Sequence, residues 1–357
     1  DKVGVVKDNS STDEMLRMTV KSTLIQALTS APMNRLMGGL RNQCLPIFML
    51  HRMQDKPLGV YGHQPDTLRA ALSYVRQNNF KPISIRTLVD HLSQGTPLPE
   101  KAVAFTMDDG FYDQAEIAVP IFQEFQVPVT IFIATGLPDN EWWSWDYKLE
   151  YLIMSRMQSA QQVHIGDQTW HLDNADRDTR RRCMRSMRNY IKGQDGTGYD
   201  AFVEDISHQL GCDLPPLPPP AYRAISWSQA RALESQGVEF GPHSHRHNIL
   251  QAQSLADAER EIRHSWSRLK AELKHPLPVF CYPTGRSGVD FGPREMAIAQ
   301  HIGLKAGVSA DAGYIDLGAD AHNNLFALRR FAFPDKLSDF RQYCSWLEWF
   351  KERRYAF

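Results

Sequence analysis

From Leu45 onward, short apolar runs alternate with longer stretches in which apolar positions return every three or four residues. The runs at 45–50, 102–107, 127–133, 238–241, 278–282 and 326–331 have the near-continuous apolar character of strands buried on both faces. Between them, 66–77 places Leu68, Leu72 and Val75 on one helical face, and 86–92, 114–125, 228–235, 254–273 and 294–301 read the same way. Strands separated by helices predict βαβ units around a parallel sheet, so the expected fold class is α/β. Residues 1–14 read as a polar tail and 15–28 as a helical lead-in, so the main domain is expected to begin at 45. It would run to 335, with a closing helix in 336–357 whose Trp346, Trp349 and Phe350 pack inward.

The rhythm breaks between about 142 and 220. This stretch is rich in Arg and Gln, opens on Trp142, Trp143 and Trp145, and ends in the stiff run Pro215-Pro216-Leu217-Pro218-Pro219-Pro220. It is expected to be a large, mostly helical insertion carried by the main domain, not a separate domain. Arg181, Arg185, Arg188 and Lys192 recur within it at helical spacing, a stripe that suits a solvated, self-paired face or a grip on anionic groups.

Composition narrows the partners. Forty basic against forty-one acidic side chains leave a net charge of −1, which argues against a general nucleic-acid binder. Apolar residues are 42% of the chain, enough for a sizeable core, and no run of apolar residues is long enough to span a membrane. The five cysteines are scattered, with no CxxC pair, so no disulfide framework is expected and a reducing, cytoplasmic setting is favoured. Because the chain starts at Asp1, export stays open. Nothing in the composition sets an oligomeric state.

Two segments carry chemistry. Thr106-Met107-Asp108-Asp109-Gly110 follows an apolar strand, at the kind of strand end where a barrel gathers functional groups. One carboxylate of such a pair can hold a cation while the other accepts a proton; the same residues also suit an Asp–Gly turn with capping acids. Gly241-Pro242-His243-Ser244-His245-Arg246-His247 follows another strand. His243 and His247, four apart, can aim at one point, and with one Asp they make the two-histidine, one-carboxylate set of catalytic Zn²⁺ or Fe²⁺. A solvated histidine-rich turn is the alternative.

Taken together these motifs resemble those of the NodB-like polysaccharide deacetylases, carbohydrate esterase family 4. Thr106–Gly110 resembles TFDDG, and His243–His247 resembles H-S/T-x-x-H. Phe280-Cys281-Tyr282-Pro283-Thr284-Gly285 resembles the FAYPYG form of the third motif, in the YPYG-type subgroup. Ile47–Arg52 is similar to an opening LMYHRV strand, and Leu328-Arg329-Arg330-Phe331 to a late LPRI strand. The resemblance implies a distorted (β/α) barrel of the NodB-homology type over 45–335, interrupted by the insertion. It implies removal of N-acetyl groups from an acetylated amino-sugar glycan with a divalent metal, Zn²⁺ first and Ni²⁺, Co²⁺ or Fe²⁺ as alternatives. Asp109, His243 and His247 would be the ligands, Asp108 the general base, and Ser244 a brace for the histidine loop. Backbone near Thr284 would help hold the oxyanion, with Tyr282 and Pro283 near substrate.

The chain departs from the common pattern twice. No Leu-x-His motif near the C-terminus offers a catalytic acid, which leaves His51, at the end of the first strand, as the substitute. Cys281 stands where many members have an Arg that orients the catalytic Asp, so Arg330 is expected to supply that charge. An insertion leaving after 133–136 is well placed to wall the substrate groove, with Trp142, Trp143 or Trp145 stacking on sugars. Covering outer helices or self-association is the alternative. Two other functions fit the same scaffold: a non-catalytic glycan-binding protein, and a hydrolase of a small non-sugar amide. An intact Asp108 argues against the first, because binding needs no base.

Overall fold

The computed structural model describes residues 43–139, 143–155, 162–172, 176–194, 198–318, 323–345 and 347–348, with scattered positions from 23 to 33. In chain order the first half holds β1 (Cys44–Leu45), β2 (Ile47–Leu50), α1 (Pro65–Gln77), β3 (Lys81–Pro82), α2 (Ile85–Gln94) and β4 (Ala102–Asp109). Next come α3 (Val119–Glu124), entered through a π-turn at Gln114–Ala118, and β5 (Thr130–Ile133). The insertion contributes α4 (Trp145–Glu150), the hairpin β6 (Gln162–Ile165) and β7 (Gln168–His171), α5 (Arg177–Lys192) and α6 (Tyr199–Leu210). The chain then resumes with α7 (Trp227–Ser235), β8 (Glu239–Pro242), α8 (Leu255–Glu272) and β9 (Val279–Cys281). It closes with α9 (Pro293–His301), β10 (Ala306–Val308), β11 (Ile315–Asp316), β12 (Phe331–Ala332) and α10 (Leu337–Tyr343).

Strands β12, β2, β4, β5 and β8 lie side by side in that order, all parallel, with β3 paired to the start of β4. A parallel pair, β9–β10, faces the other side. Leu277 N–H donates to Phe240 O at 2.7 Å, and Val308 bridges Leu328, so the two pieces approach a ring with two irregular seams. That is the α/β architecture expected, with distortion at the seams.

Period-two alternation then sorts the side chains. Val103 and Phe105 of β4 point outward to a core shared with Phe48, Phe122 and Phe240, whereas Ala102 and Ala104 point inward with Ile47, Phe132 and Val279. The interior is narrow. A Cβ on Gly241 would meet the Phe132 ring at 2.6 Å and Val279 O at 2.9 Å. Each fully buried phenylalanine of the outer core contributes roughly 2–3 kcal/mol. The alternation also fixes chemistry, because Thr106 and Asp108 continue the inward series of β4.

Several expectations change. Pro46 splits the first run: β1 pairs antiparallel with β11, and only β2 joins the main sheet. The late strand expected at 326–331 shrinks to Phe331–Ala332, because the preceding residues run beside β10 through Gly307 N–H to Leu325 O and Leu328 N–H to Gly307 O. Helix α10 ends at Tyr343, short of 349, and Trp346, Trp349 and Phe350 lie outside the described residues, as does most of 15–28. Strand β10, Ala-Gly-Val, is too short to give a sequence signal. The insertion is helical but also carries the unforeseen β6–β7 hairpin.

The insertion has its own core, in which Trp143, Leu149, Leu152, Val163, Met187, Val203 and Ile206 pack with Phe111, Ala134 and Ile249 of the barrel. Helix α5 starts where the Asp176 side chain accepts from Thr179 N–H at 2.7 Å, an N-cap worth about 1 kcal/mol. Among the described residues no helix is long and apolar enough to cross a membrane.

Candidate active site

Four parallel strands end in register. Leu50 pairs with Met107, Asp109 with Ile133, and Ile133 with Pro242, so the residues that follow β2, β4 and β8 share one rim. Gln114, fully buried, donates its amide to the carbonyls of both His51 and Asp108 and ties two of these strand ends together. At Gly110 φ is +89°, and a Cβ would strike Ile133 at 2.4 Å, so only glycine allows the turn that leaves the acidic pair. Asp109, Ser244, His247 and Thr284 are themselves held at positive φ without being glycine. Such backbone costs of order 1–3 kcal/mol per residue and persists where surrounding contacts dictate it.

Those contacts are visible around the histidine loop. The β5–β8 ladder continues past the strands through His243 N–H to Ile133 O, Thr135 N–H to Ser244 O and Gly136 N–H to His245 O. Ser244 Oγ accepts from His247 N–H at 2.9 Å, and Glu261 of α8 accepts from the N–H groups of His245 and Arg246. His245, the middle histidine, turns away to Thr135 Oγ1 at 3.0 Å. His243 and His247 turn inward instead.

Nε2 of His243 lies 3.5 Å and Nε2 of His247 3.4 Å from Asp109 Oδ1, and ligand atoms of these three residues are within 4.8 Å of one another. His243 Nδ1–H donates to Cys281 O at 2.8 Å, which points its Nε2 at the other two groups. Two imidazole nitrogens and one carboxylate oxygen converging on one point, with a cavity on the open side, fit a tetrahedral divalent ion. Burial by itself raises the Asp109 pKa, but the hydrogen bond from His243 and the charges of His247 and His51 hold it far below the carboxylate range. Burial, helped by His243 and opposed by Asp109, pushes His247 down to about 4. At His243, burial is outweighed by Cys281 and the neighbouring carboxylates, and the pKa rises well above the usual histidine value.

Asp108 has a different environment. Arg330 Nη1 and Nη2 donate to its two oxygens, each at 2.8 Å, in a forked pair buried on both sides. The remaining Arg330 donors reach Ser309 O (2.8 Å), Thr106 Oγ1 (3.0 Å) and Cys281 Sγ (3.3 Å). Burial raises the Asp108 pKa, but the Arg330 charge and hydrogen bonds overcome it and hold the group below the ordinary carboxylate value. Cys281 is buried beside this pair, and burial raises its thiol pKa.

A cavity of about 680 Å³ opens over both carboxylates. His51, Tyr282, Thr284 and Arg330 line it, as do Asp108, Asp109 and His247. Thr284 Oγ1 and Tyr282 OH are buried polar atoms with no partner among the described residues. The opposite wall comes from the insertion, through Asp146 and Tyr147 of α4 and Arg188, Asn189 and Lys192 of α5. Tyr147 OH donates to Asp109 Oδ2 at 3.4 Å, a contact with no sequence signal, because it depends on how α4 docks.

Two expected substrate residues lie elsewhere. Trp143 is 3% exposed, packed between Tyr151 and Tyr222 at ring-centroid distances of 5.8 and 5.7 Å, and does not line the cavity. An indole this size serves the insertion's core, which corrects its reading as a sugar-stacking residue. Pro283 is buried and also absent from the cavity wall. Trp142 lies outside the described residues.

Comparison with known proteins agrees with this geometry. Over 75 residues the chain is 41% identical to the poly-β-1,6-N-acetyl-D-glucosamine N-deacetylase of Escherichia coli strain K12. That match covers 21% of this chain and only 10% of the relative's length. Among solved structures, the Streptococcus pyogenes deacetylase PplD in complex with acetate is similar at TM-score 0.53 and 16% identity, over 82% of this chain and 94% of that one. IcaB from Ammonifex degensii is similar at 0.52 and 15%, over 86% and 97%. A de-N-acetylase from Aggregatibacter actinomycetemcomitans is similar at 0.51 and 12%, over 84% and 99%. At such identities these likenesses concern the fold. The polysaccharide deacetylase family matches residues 95–196 and 206–307, the span that carries the acidic pair, the histidine loop and the Tyr-Pro-Thr-Gly turn. On that match the chain belongs to the polysaccharide deacetylase family.

Proposed function

We propose that the chain is a metal-dependent hydrolase that removes N-acetyl groups from amino-sugar residues of a glycan. The observation that carries this reading is the Asp109–His243–His247 cluster, whose Asp109 and His247 line one cavity with the Arg-paired Asp108. The three residues of the cluster would hold a divalent cation, Zn²⁺ by their donor set. Such an ion acidifies water to a pKa near 7 and polarises a carbonyl.

The chain's own residues do the rest. Asp108 is ionised at neutral pH and fixed by Arg330, so it accepts the proton of an attacking water without changing its position. The backbone at Thr284, which lines the cavity, is placed to steady the oxygen on which charge develops. An amine leaves only when protonated, and His51 is the group on the same wall that we assign as its acid. Arg330 is a positioning residue, because it acts through Asp108. The family membership supports acetylated sugar as the substrate class; the likeness to the Escherichia coli enzyme supports an N-acetylglucosamine unit.

The test is acetate release from a panel of acetylated hexosamine oligomers and a simple acetanilide, after chelation and again after Zn²⁺ is restored. Metal-restored release from the oligomers and little from the anilide is the expected result. Binding of oligomer without acetate release would make the chain a glycan-binding protein, and preference for the anilide would make it a general amidase.

A further inference from the structure

Next to the metal cavity is a second cavity of about 580 Å³, between helix α5 of the insertion and residues 58–61 of the barrel. Among the described residues six arginines line it, Arg52, Arg177, Arg180, Arg181, Arg185 and Arg188, against a single carboxylate, Glu150. Half of these charges are already committed. Arg52 pairs with Asp113 at 2.8 Å, Arg177 donates to Gly59 O at 3.0 Å, and Arg180 donates to Ile153 O and Leu172 O.

The other three are not spent. Arg181 lies flat against Tyr61, its guanidinium carbon 3.6 Å from the ring centroid, and its carboxylate contact is the exposed Asp178 at 3.4 Å. Arg185 has no hydrogen bond or ion pair among the described residues. Arg188 approaches Glu150 only to 3.8 Å, and its Nε–H is buried with no acceptor among the described residues. A buried charged donor without an acceptor is costly, so the Arg188 Nε–H, with the exposed Arg185 and the Tyr61-stacked Arg181 on the same helix face, marks a place for an oxyanion. Planar guanidinium forks favour phosphoryl and carboxylate groups in particular.

Arg188 lines the metal cavity as well, so the two cavities share a wall. Leu58, Val60 and Met184 give the second cavity apolar surface, which suits an anion carried on an organic body better than a free ion. We propose that this arginine cleft is an anionic subsite, holding a phosphoryl or carboxylate group of the same glycan whose acetamide lies beside Asp108. The substrate is then an acidic glycan or a phosphorylated amino sugar. The link to a substrate rests on the deacetylase reading; the anion site itself does not.

The experiment is calorimetric titration of the full chain at fixed ionic strength with inorganic phosphate, pyrophosphate and glucuronate, each against the variant R181E/R185E. Neither substituted residue lines the metal cavity. Saturable binding of at least one anion, weakened about tenfold or more in the variant, is expected, with acetate release from a neutral acetylated oligomer unchanged. Preference for the phosphates identifies a phosphorylated substrate, and preference for glucuronate a uronate-bearing one. If the double variant fails to fold, Arg185→Ala alone should still weaken binding about threefold. Absence of saturable binding to all three, or binding equal in the variants, overturns the proposal. The titration needs no turnover, so a failed acetate assay would count against the deacetylase reading and leave the anion site readable.

Discussion

Each donor direction of Arg330 meets an acceptor: Ser309 O, Thr106 Oγ1, both Asp108 oxygens and Cys281 Sγ. A guanidinium has five N–H groups in fixed geometry, so this network is full and no lysine replaces it. Removing one partner of a buried ion pair leaves an uncompensated charge. Arg330→Met is therefore expected to lower stability by about 3–5 kcal/mol in urea unfolding. The depressed Asp108 pKa sets the sign of the pH dependence. The pair's contribution is full above the ordinary carboxylate value and is lost as pH falls through the lower folded one. Without Arg330 the Asp108 pKa rises, so the acid limb of kcat/KM against pH should move to higher pH. Asp108→Asn should keep stoichiometric metal by elemental analysis yet lose about 10²–10⁴-fold in kcat.

The two histidines proposed as metal ligands differ in a way that metal titration reads. His247, pushed down to about 4, is neutral at pH 7 and ready to ligate. His243, whose pKa is raised, must give up a proton first. Zn²⁺ affinity, measured by chelator competition, should therefore rise from pH 6 to pH 8. A flat profile would mean that His243 is not a ligand.

At the scale of elements, the insertion does two jobs with neighbouring residues. Helix α4 buries Trp145 and Leu149 in the insertion's core and turns Tyr147 toward Asp109. Trp143→Ala should act on the core, costing about 3–5 kcal/mol with KM unchanged once folded. Tyr147→Phe should leave stability near normal and weaken metal binding by about 10–100-fold, as loss of a partner behind a ligand does. Equilibrium unfolding and chelator competition on the two variants separate these outcomes. The contrast shows what the sequence held. Tryptophans at 142, 143 and 145 announce aromatic density but not which core receives it, and Tyr147 acquires its role only through the docking of α4. Local signals fared better. Strand ends at Asp108–Asp109 and His243 follow from apolar runs stopped by polar residues, whereas β10 and the seam at 325–330 depend on pairing partners distant in the chain.

For the whole molecule, the barrel supplies the reactive groups and the insertion closes a cavity over them, so neither part alone makes the site. The four chemistry-bearing side chains were legible because they gather at two strand ends, Asp108 and Asp109 closing β4 and His243 and His247 in the loop after β8. Arg330 was legible as the charge missing at Cys281. The arginine cleft was visible only as a helical stripe, since its far wall, 58–61, comes from another part of the chain.

The central claim is that one divalent ion, held by Asp109, His243 and His247, drives acetamide hydrolysis. Its most direct test is a titration of metal-stripped protein with Zn²⁺, following acetate release from an acetylated hexosamine oligomer. Release should climb in proportion to added metal, level off at one equivalent, and be absent at every ratio in the double variant His243→Ala/His247→Ala. Release that is independent of metal, or that the double variant retains, would contradict the account.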